Sequence, residues 1–151
     1  MVRRDFIMEH SIIREYNIED YDKVLEFLES VTTLKHIEEE LFENSIIIEN
    51  DEKIVGMISY EIFRGRALIR YFIFDKDVNE SDIVLMYERF FGKLKDKGIQ
   101  QIFVIISKDI IVEMFKDLGF IEFNKDEFFL TESNIAETKY RDSKVMCYTI
   151  E

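Results

Sequence analysis

At 151 residues the chain suits one domain burying roughly two thirds of its unfolded surface, and 47% apolar residues supply a core without metals or disulfides. A net charge of −12 and a pI near 4.7 oppose non-specific binding to DNA or RNA, which draws its affinity from clustered Lys and Arg. The single cysteine, Cys147, excludes an intrachain disulfide and a thiol-rich metal site. No apolar run approaches the ~18 residues of a membrane span, and Asp5, Glu9 and His10 interrupt any signal-peptide core at the N-terminus. The expected setting is the cytoplasm, with neither membrane nor nucleic acid as partner.

Ile12 to Tyr16 alternates as a short strand. Asn17 with Asp20 forms a capping pattern ahead of Tyr21, Val24, Leu25 and Leu28, which recur at helical spacing. A second helix is predicted over Leu34 to Phe42, with Leu34, Ile37 and Leu41 on one face and the acidic run Glu38-Glu39-Glu40 as its solvated side. Ser45 to Glu49 is β-branched, and Asn50-Asp51 signals a turn into a long strand from Lys53 to Phe63, where Gly56 marks a bulge. Arg64-Gly65 turns the chain into the strand Ala67 to Phe74, completing an antiparallel meander. Arg64, Arg66 and Arg70 straddle this hairpin and read as salt-bridged turn residues.

Ser81 reads as an N-cap for a helix whose stripe is Ile83, Tyr87, Phe90, Phe91 and Leu94 and whose stop is Gly98. Ile102 to Ile106 is unbroken apolar sequence, as in a strand buried on both faces. Ala67 to Ile106 is therefore a parallel strand–helix–strand crossover. Ser107 caps a further helix carrying Ile110, Ile111, Met114, Phe115 and Leu118 and ended by Gly119. Phe120 to Leu130 and Lys144 to Ile150 are the last strands. No linker or repeat divides the chain, so residues 1–151 form one α/β domain: a mixed sheet of about seven strands, with helices on both faces.

From Ile12 to Ile150 this order of elements resembles the GNAT superfamily of acetyl-CoA-dependent N-acetyltransferases. Phe115-Lys116-Asp117-Leu118-Gly119-Phe120 looks like that family's Tyr-x-x-x-Gly-Phe signature. The resemblance implies transfer of an acetyl group from acetyl-CoA to a small-molecule or peptide amine. It implies that the strand residues Phe72, Ile73 and Phe74 meet the pantetheine arm, and that Ser81, Asp82 and Ile83 stand at the pyrophosphate loop.

The chain departs from the family pattern in that loop. The glycine motif falls at Val78 to Val84, yet no glycine occurs between Gly65 and Gly92, and Asp75, Asp77, Glu80 and Asp82 occupy the region with Lys76 as the one nearby cation. The family's general-acid Tyr corresponds to Phe115, and its Asn six residues earlier to Asp109.

Three residues remain as catalytic candidates: Tyr71 mid-strand, Glu61 as a general base if buried, and Asp109, which capping also explains. Arg70 and Tyr71 are expected on opposite faces of their strand. His10 and His36 stand alone and make no ligand set, so no metal site is expected. Two further readings stay beside the acyltransferase: a GNAT-fold binding or regulatory domain that has lost CoA, and a homodimer joined through the aromatic C-terminal strands.

Overall fold

The computed structural model describes residues 11–31, 36–124, 127–130, 133–134 and 143–150. Seven strands form one mixed sheet: β1 (Ser11–Glu15), β2 (Ser45–Asn50), β3 (Lys53–Phe63), β4 (Arg66–Phe74), β5 (Gln101–Ile106), β6 (Ile121–Phe123) and β9 (Lys144–Thr149). They are hydrogen-bonded in the order β1-β2-β3-β4-β5-β9-β6. A two-residue pair, β7 (Phe129–Leu130) and β8 (Ser133–Asn134), forms a separate ribbon. The helices are α1 (Tyr21–Ser30), α2 (Glu80–Asp96) and α3 (Asp109–Asp117). The β4–β5 pair is parallel, while β1–β2, β2–β3, β5–β9 and β6–β9 are antiparallel. This is the mixed α/β sheet expected from the sequence, crossover included.

The chain folds as two compact units. One comprises Met1–Glu61 and Arg70–Leu94, the other Ile62–Ile69 and Lys95–Glu151.

In the first unit the predicted capping pattern is present. The Asn17 side chain accepts from the Glu19 N–H at 2.9 Å, and Asp20 accepts from the Asn17 N–H at 2.8 Å, across a short 3-10 turn (Ile18–Asp20) that leads into α1. Val24, Phe27 and Leu28 of α1 bury against Ile47, Met57 and Tyr71 of the sheet. The opposite face is covered by α2, where the rings of Tyr60 and Phe90 lie 5.5 Å apart. The predicted bulge also exists: Ile48 pairs with Gly56 but Glu49 pairs with Ile54, so Val55 is the extra residue. A Cβ on Gly56 would stand 2.7 Å from Ile48 Cδ1, so a larger residue here would displace the Ile48 side chain.

The second unit has its own core of Leu68, Phe103, Phe128, Val145 and Cys147. Gly119 follows α3 with φ +100°, and a Cβ there would meet the Tyr148 ring at 2.8 Å. Both the backbone conformation and the space demand glycine. Cys147 is buried, and burial pushes its thiol pKa up, so it is a packing residue.

Several elements differ from the sequence reading. Within the described part of Leu34–Phe42 there is only a 3-10 turn, Glu39–Leu41; residues 32–35 lie outside the described residues. Leu41 and Phe42 nonetheless reach the core, which accounts for the apolar spacing without a helix. Among the described residues of the strand predicted over Phe120–Leu130, Ile121–Phe123 pair with β9 as β6 and Phe129–Leu130 pair with β8; residues 125–126 lie outside the described residues.

Helix starts shift as well. The Asn79 carbonyl accepts from the Asp82 and Ile83 N–H groups, so α2 begins before Ser81, which lies inside its first turn. Lys108 rather than Ser107 holds the N-cap position of α3. His10 lies outside the described residues, and His36 is exposed. Among the described residues no helix is long and apolar enough to cross a membrane, and no cluster of three or more His, Cys, Asp or Glu could hold a metal.

Candidate functional site

The site is built on the second half of β4 and the turn that follows it, all within the first unit. The parallel ladder runs from Arg66–Gln101 to Ile69–Val104, and β4 continues five residues past its last rung to Phe74. Two hydrogen bonds orient this extension. The Tyr71 N–H donates to Ser59 Oγ at 3.0 Å, and the Asp75 N–H donates to the Val55 carbonyl at 2.8 Å, both toward β3. Backbone groups alternate sides along a strand. The N–H and C=O of Phe72 and Phe74 therefore turn to the edge away from β3, and those of Ile73 toward it. Of the three residues singled out as pantetheine contacts, Phe72 and Phe74 present backbone at that edge, while Ile73 packs its side chain on the core. The Phe72 and Phe74 rings, two residues apart, meet edge-on at 6.0 Å on one face.

Arg70 and Tyr71, expected on opposite faces, both reach Glu38. The Arg70 guanidinium pairs with the Glu38 carboxylate and with Glu61 at 2.9 Å, and the Tyr71 hydroxyl accepts from the Glu38 N–H at 2.9 Å. The Tyr71 N–H is satisfied by the Ser59 hydroxyl of β3, and both side chains draw on Glu38 from outside the strand. Sequence alone carries no sign of this meeting, since Glu38 lies 32 residues from Arg70.

Burial by itself would lower the Arg70 pKa; the Glu38 and Glu61 charges outweigh it and hold the group above its ordinary value. Glu61 is thus half-buried and held by an arginine, and Tyr71 is buried with its oxygen already accepting a hydrogen bond. Glu38 was read only as part of a solvated acidic face, yet it joins this cluster because Tyr71 and Arg70 both draw on it. Asp109 is an exposed first-turn residue of α3, without a side-chain cap bond at that end. In the second unit Phe115, at the family's tyrosine position, is 1% exposed and stands edge-on to Phe120 at 5.0 Å. It has no proton to supply.

Beyond Phe74 the turn into α2 lines a cleft of about 370 Å³ together with the β2–β3 hairpin. Its charged lining is Asp51, Asp75, Asp77 and Asp82 against Lys53. Asp75, Asp77 and Ser81 are exposed; Asp82 and Ile83 are partly buried. Glu80 and Asp82 fall in the first turn of α2, where the helix dipole favours negative charge. The anion-attracting end of this helix is therefore already supplied with the protein's own carboxylates.

No protein-family profile matches the sequence, and no curated protein matches it. Solved structures do. N-acetylglutamate synthase from Neisseria gonorrhoeae, complexed with coenzyme A and N-acetyl-glutamate, superposes with a TM-score of 0.79 at 16% identity, over 94% of this chain and 35% of that one. A GNAT-family acetyltransferase from Staphylococcus aureus Mu50 gives 0.72 at 18% identity, over 94% and 100%. The fold is that of the GNAT acetyltransferases. A Mycobacterium tuberculosis protein in complex with CoA shares this GNAT-like fold, with a TM-score of 0.74 at 13% identity over 93% and 99% of the two chains. The chain spans about a third of the gonococcal synthase.

The GNAT fold implies CoA, and the residues present fit it in one half only. The Phe74 backbone, past the last rung of the parallel ladder and turned away from β3, has the donor and acceptor that an amide of a pantetheine arm would need. The loop does not fit a pyrophosphate. It has no glycine to let the backbone approach, and a carboxylate about 4 Å from a phosphate costs roughly 4 kcal/mol at an effective dielectric near 20.

Proposed function

We propose that this protein is an acyltransferase of GNAT type that moves an acetyl group from a pantetheine thioester, of which acetyl-CoA is the common form, to an amine. One observation carries the reading: β4 runs on past the end of its parallel ladder, and the alternation fixed by the Asp75 N–H turns the Phe74 backbone to that edge. A backbone N–H there can orient a thioester carbonyl, and holding the amine beside it supplies much of the rate by positioning alone. Glu38 and Glu61 share the single Arg70 guanidinium, which leaves one net negative charge on the neighbouring face, and that suits a cationic amine.

A second reading, a GNAT-fold binding or regulatory domain without acyl transfer, is supported by Phe115 and the carboxylate-lined loop. The two separate on one measurement. Incubation with acetyl-CoA and a panel of primary amines is expected to release free thiol in proportion to protein, with acetylated amine detected by mass. Thiol release no faster than in buffer across the panel, together with no thermal stabilisation by millimolar acetyl-CoA, would leave the second reading standing.

A further inference from the structure

We infer that the protein selects its acyl donor by the pantetheine arm and not by the nucleotide. The inference rests on the acyltransferase reading and concerns what end of the donor the protein grips. The conserved chemistry of a pyrophosphate site is a set of backbone N–H groups at a helix N-terminus with nothing anionic beside them. Here the turn from Phe74 into α2 holds Asp75 and Asp77, the first turn of α2 holds Glu80 and Asp82, and Asp51 faces them from the β2–β3 hairpin. Lys53 is the one cation in the cleft lining. Among the described residues Asp75, Asp77 and Asp82 form no ion pair that would neutralise them. A nucleotide diphosphate brought to this turn meets net negative charge. The backbone of Phe74, which lies before the turn and past the parallel ladder, takes the neutral amide portion of the donor without that conflict.

The sign of the salt effect distinguishes this from an ordinary pyrophosphate grip. Attraction to cations weakens as salt is added; repulsion from carboxylates is relieved by it. The test is calorimetric titration of the full chain with acetyl-CoA, acetyl-pantetheine and adenosine 3′,5′-bisphosphate. We expect acetyl-pantetheine to bind within about threefold of acetyl-CoA, and the bisphosphate not to bind. Acetyl-CoA should tighten about two- to fivefold as salt rises from ~0.01 M to ~0.15 M, where the screening length falls from ~30 Å to ~8 Å. The Asp75→Asn/Asp77→Asn double variant should tighten acetyl-CoA at low salt and leave acetyl-pantetheine unchanged, which separates the loop from the charge of the whole protein. Acetyl-CoA binding more than tenfold tighter than acetyl-pantetheine and weakened by salt would overturn the inference alone. No binding of either thioester would overturn the acyltransferase reading with it.

Discussion

Asp20 and the Asp75–Asp82 turn both place carboxylates beside a helix start in the same unit, yet the fold treats them in opposite ways. Asp20 is 5% exposed and fully engaged: Arg14 donates to both of its oxygens at 2.8 Å, and the Asn17 N–H donates to Oδ2. Arg14 is shared with Glu49 at 2.8 Å, and Lys23 stands 3.8 Å from the same glutamate. The Arg14 bond holds the Asp20 carboxyl below its usual range, against the opposing effect of burial. Among the described residues Asp75 and Asp77 form no ion pair, and both are exposed. Carboxylates that serve the fold are paired and buried; those around the α2 turn face a cleft and are left to solvent or to a ligand.

The sharpest way to break that contrast is Asp20→Asn. It leaves Arg14 partly buried beside a neutral amide and takes one acceptor oxygen from a site where Arg14 and the Asn17 N–H use both. A loss of about 2–3 kcal/mol is expected, read from the urea midpoint at neutral pH. The pH dependence follows from the same group. Because the folded carboxyl titrates below the unfolded one, near 3.9, the unfolded chain takes up the proton first. Its stabilisation is complete above that value and is lost as pH falls through the folded pKa. The Asn variant should therefore lose less stability on acidification below about pH 4 than the parent. An equal acid slope in both would mean that other carboxylates carry the acid sensitivity.

How far the two regions could be read from sequence follows the same division. Asn17 with Asp20 announced its cap, because a capping box is local and its partners lie three residues apart. Gly56, Gly98 and Gly119 marked a bulge and two helix ends for a similar reason: each solves a backbone problem at its own position. The meander and the crossover followed from apolar periodicity. The cluster at Arg70–Tyr71 did not, since it is made by partners distant in the chain, Ser59, Glu61 and Glu38, and leaves no residue-type signal. Likewise the acidity of the α2 turn was plain, but its meeting with Asp51 and Lys53 across a cleft depends on the β2–β3 hairpin. The apolar spacing of Leu34–Phe42 predicted a helix where side chains reach the core from a 3-10 turn.

Arg70 stands between the two extremes, partnered by Glu38 and Glu61 but only partly buried. Replacing it by Met keeps the stem and leaves the two carboxylates facing each other. The exposure of both glutamates screens the loss, so about 1 kcal/mol is expected. Adding Glu61→Gln to the Met variant should recover part of it, because the repulsion then disappears. A loss above 3 kcal/mol, with no recovery, would place this cluster with Asp20 as structural and would remove it as a polar wall for an amine.

The smallest expected effect is the most informative for the turn itself. Asp75→Asn/Asp77→Asn removes two exposed charges from a molecule of net charge −12 and from a cleft that already holds Asp51 and Asp82. Relief of repulsion should leave stability unchanged or raise it by up to about 0.5 kcal/mol. Asp82→Asn, by contrast, removes a charge from the first turn of α2 and should cost about 0.5 kcal/mol through the helix dipole. Both changes are read as shifts in the urea midpoint at equal salt. If the double variant instead lost more than 1 kcal/mol, its carboxylates would be stabilising the turn as Asp20 stabilises its own, and their presence would need no ligand-related account. A neutral or stabilising result means the fold does not require them, which leaves the exclusion of anions from this end of the β4 edge as the physical effect they have.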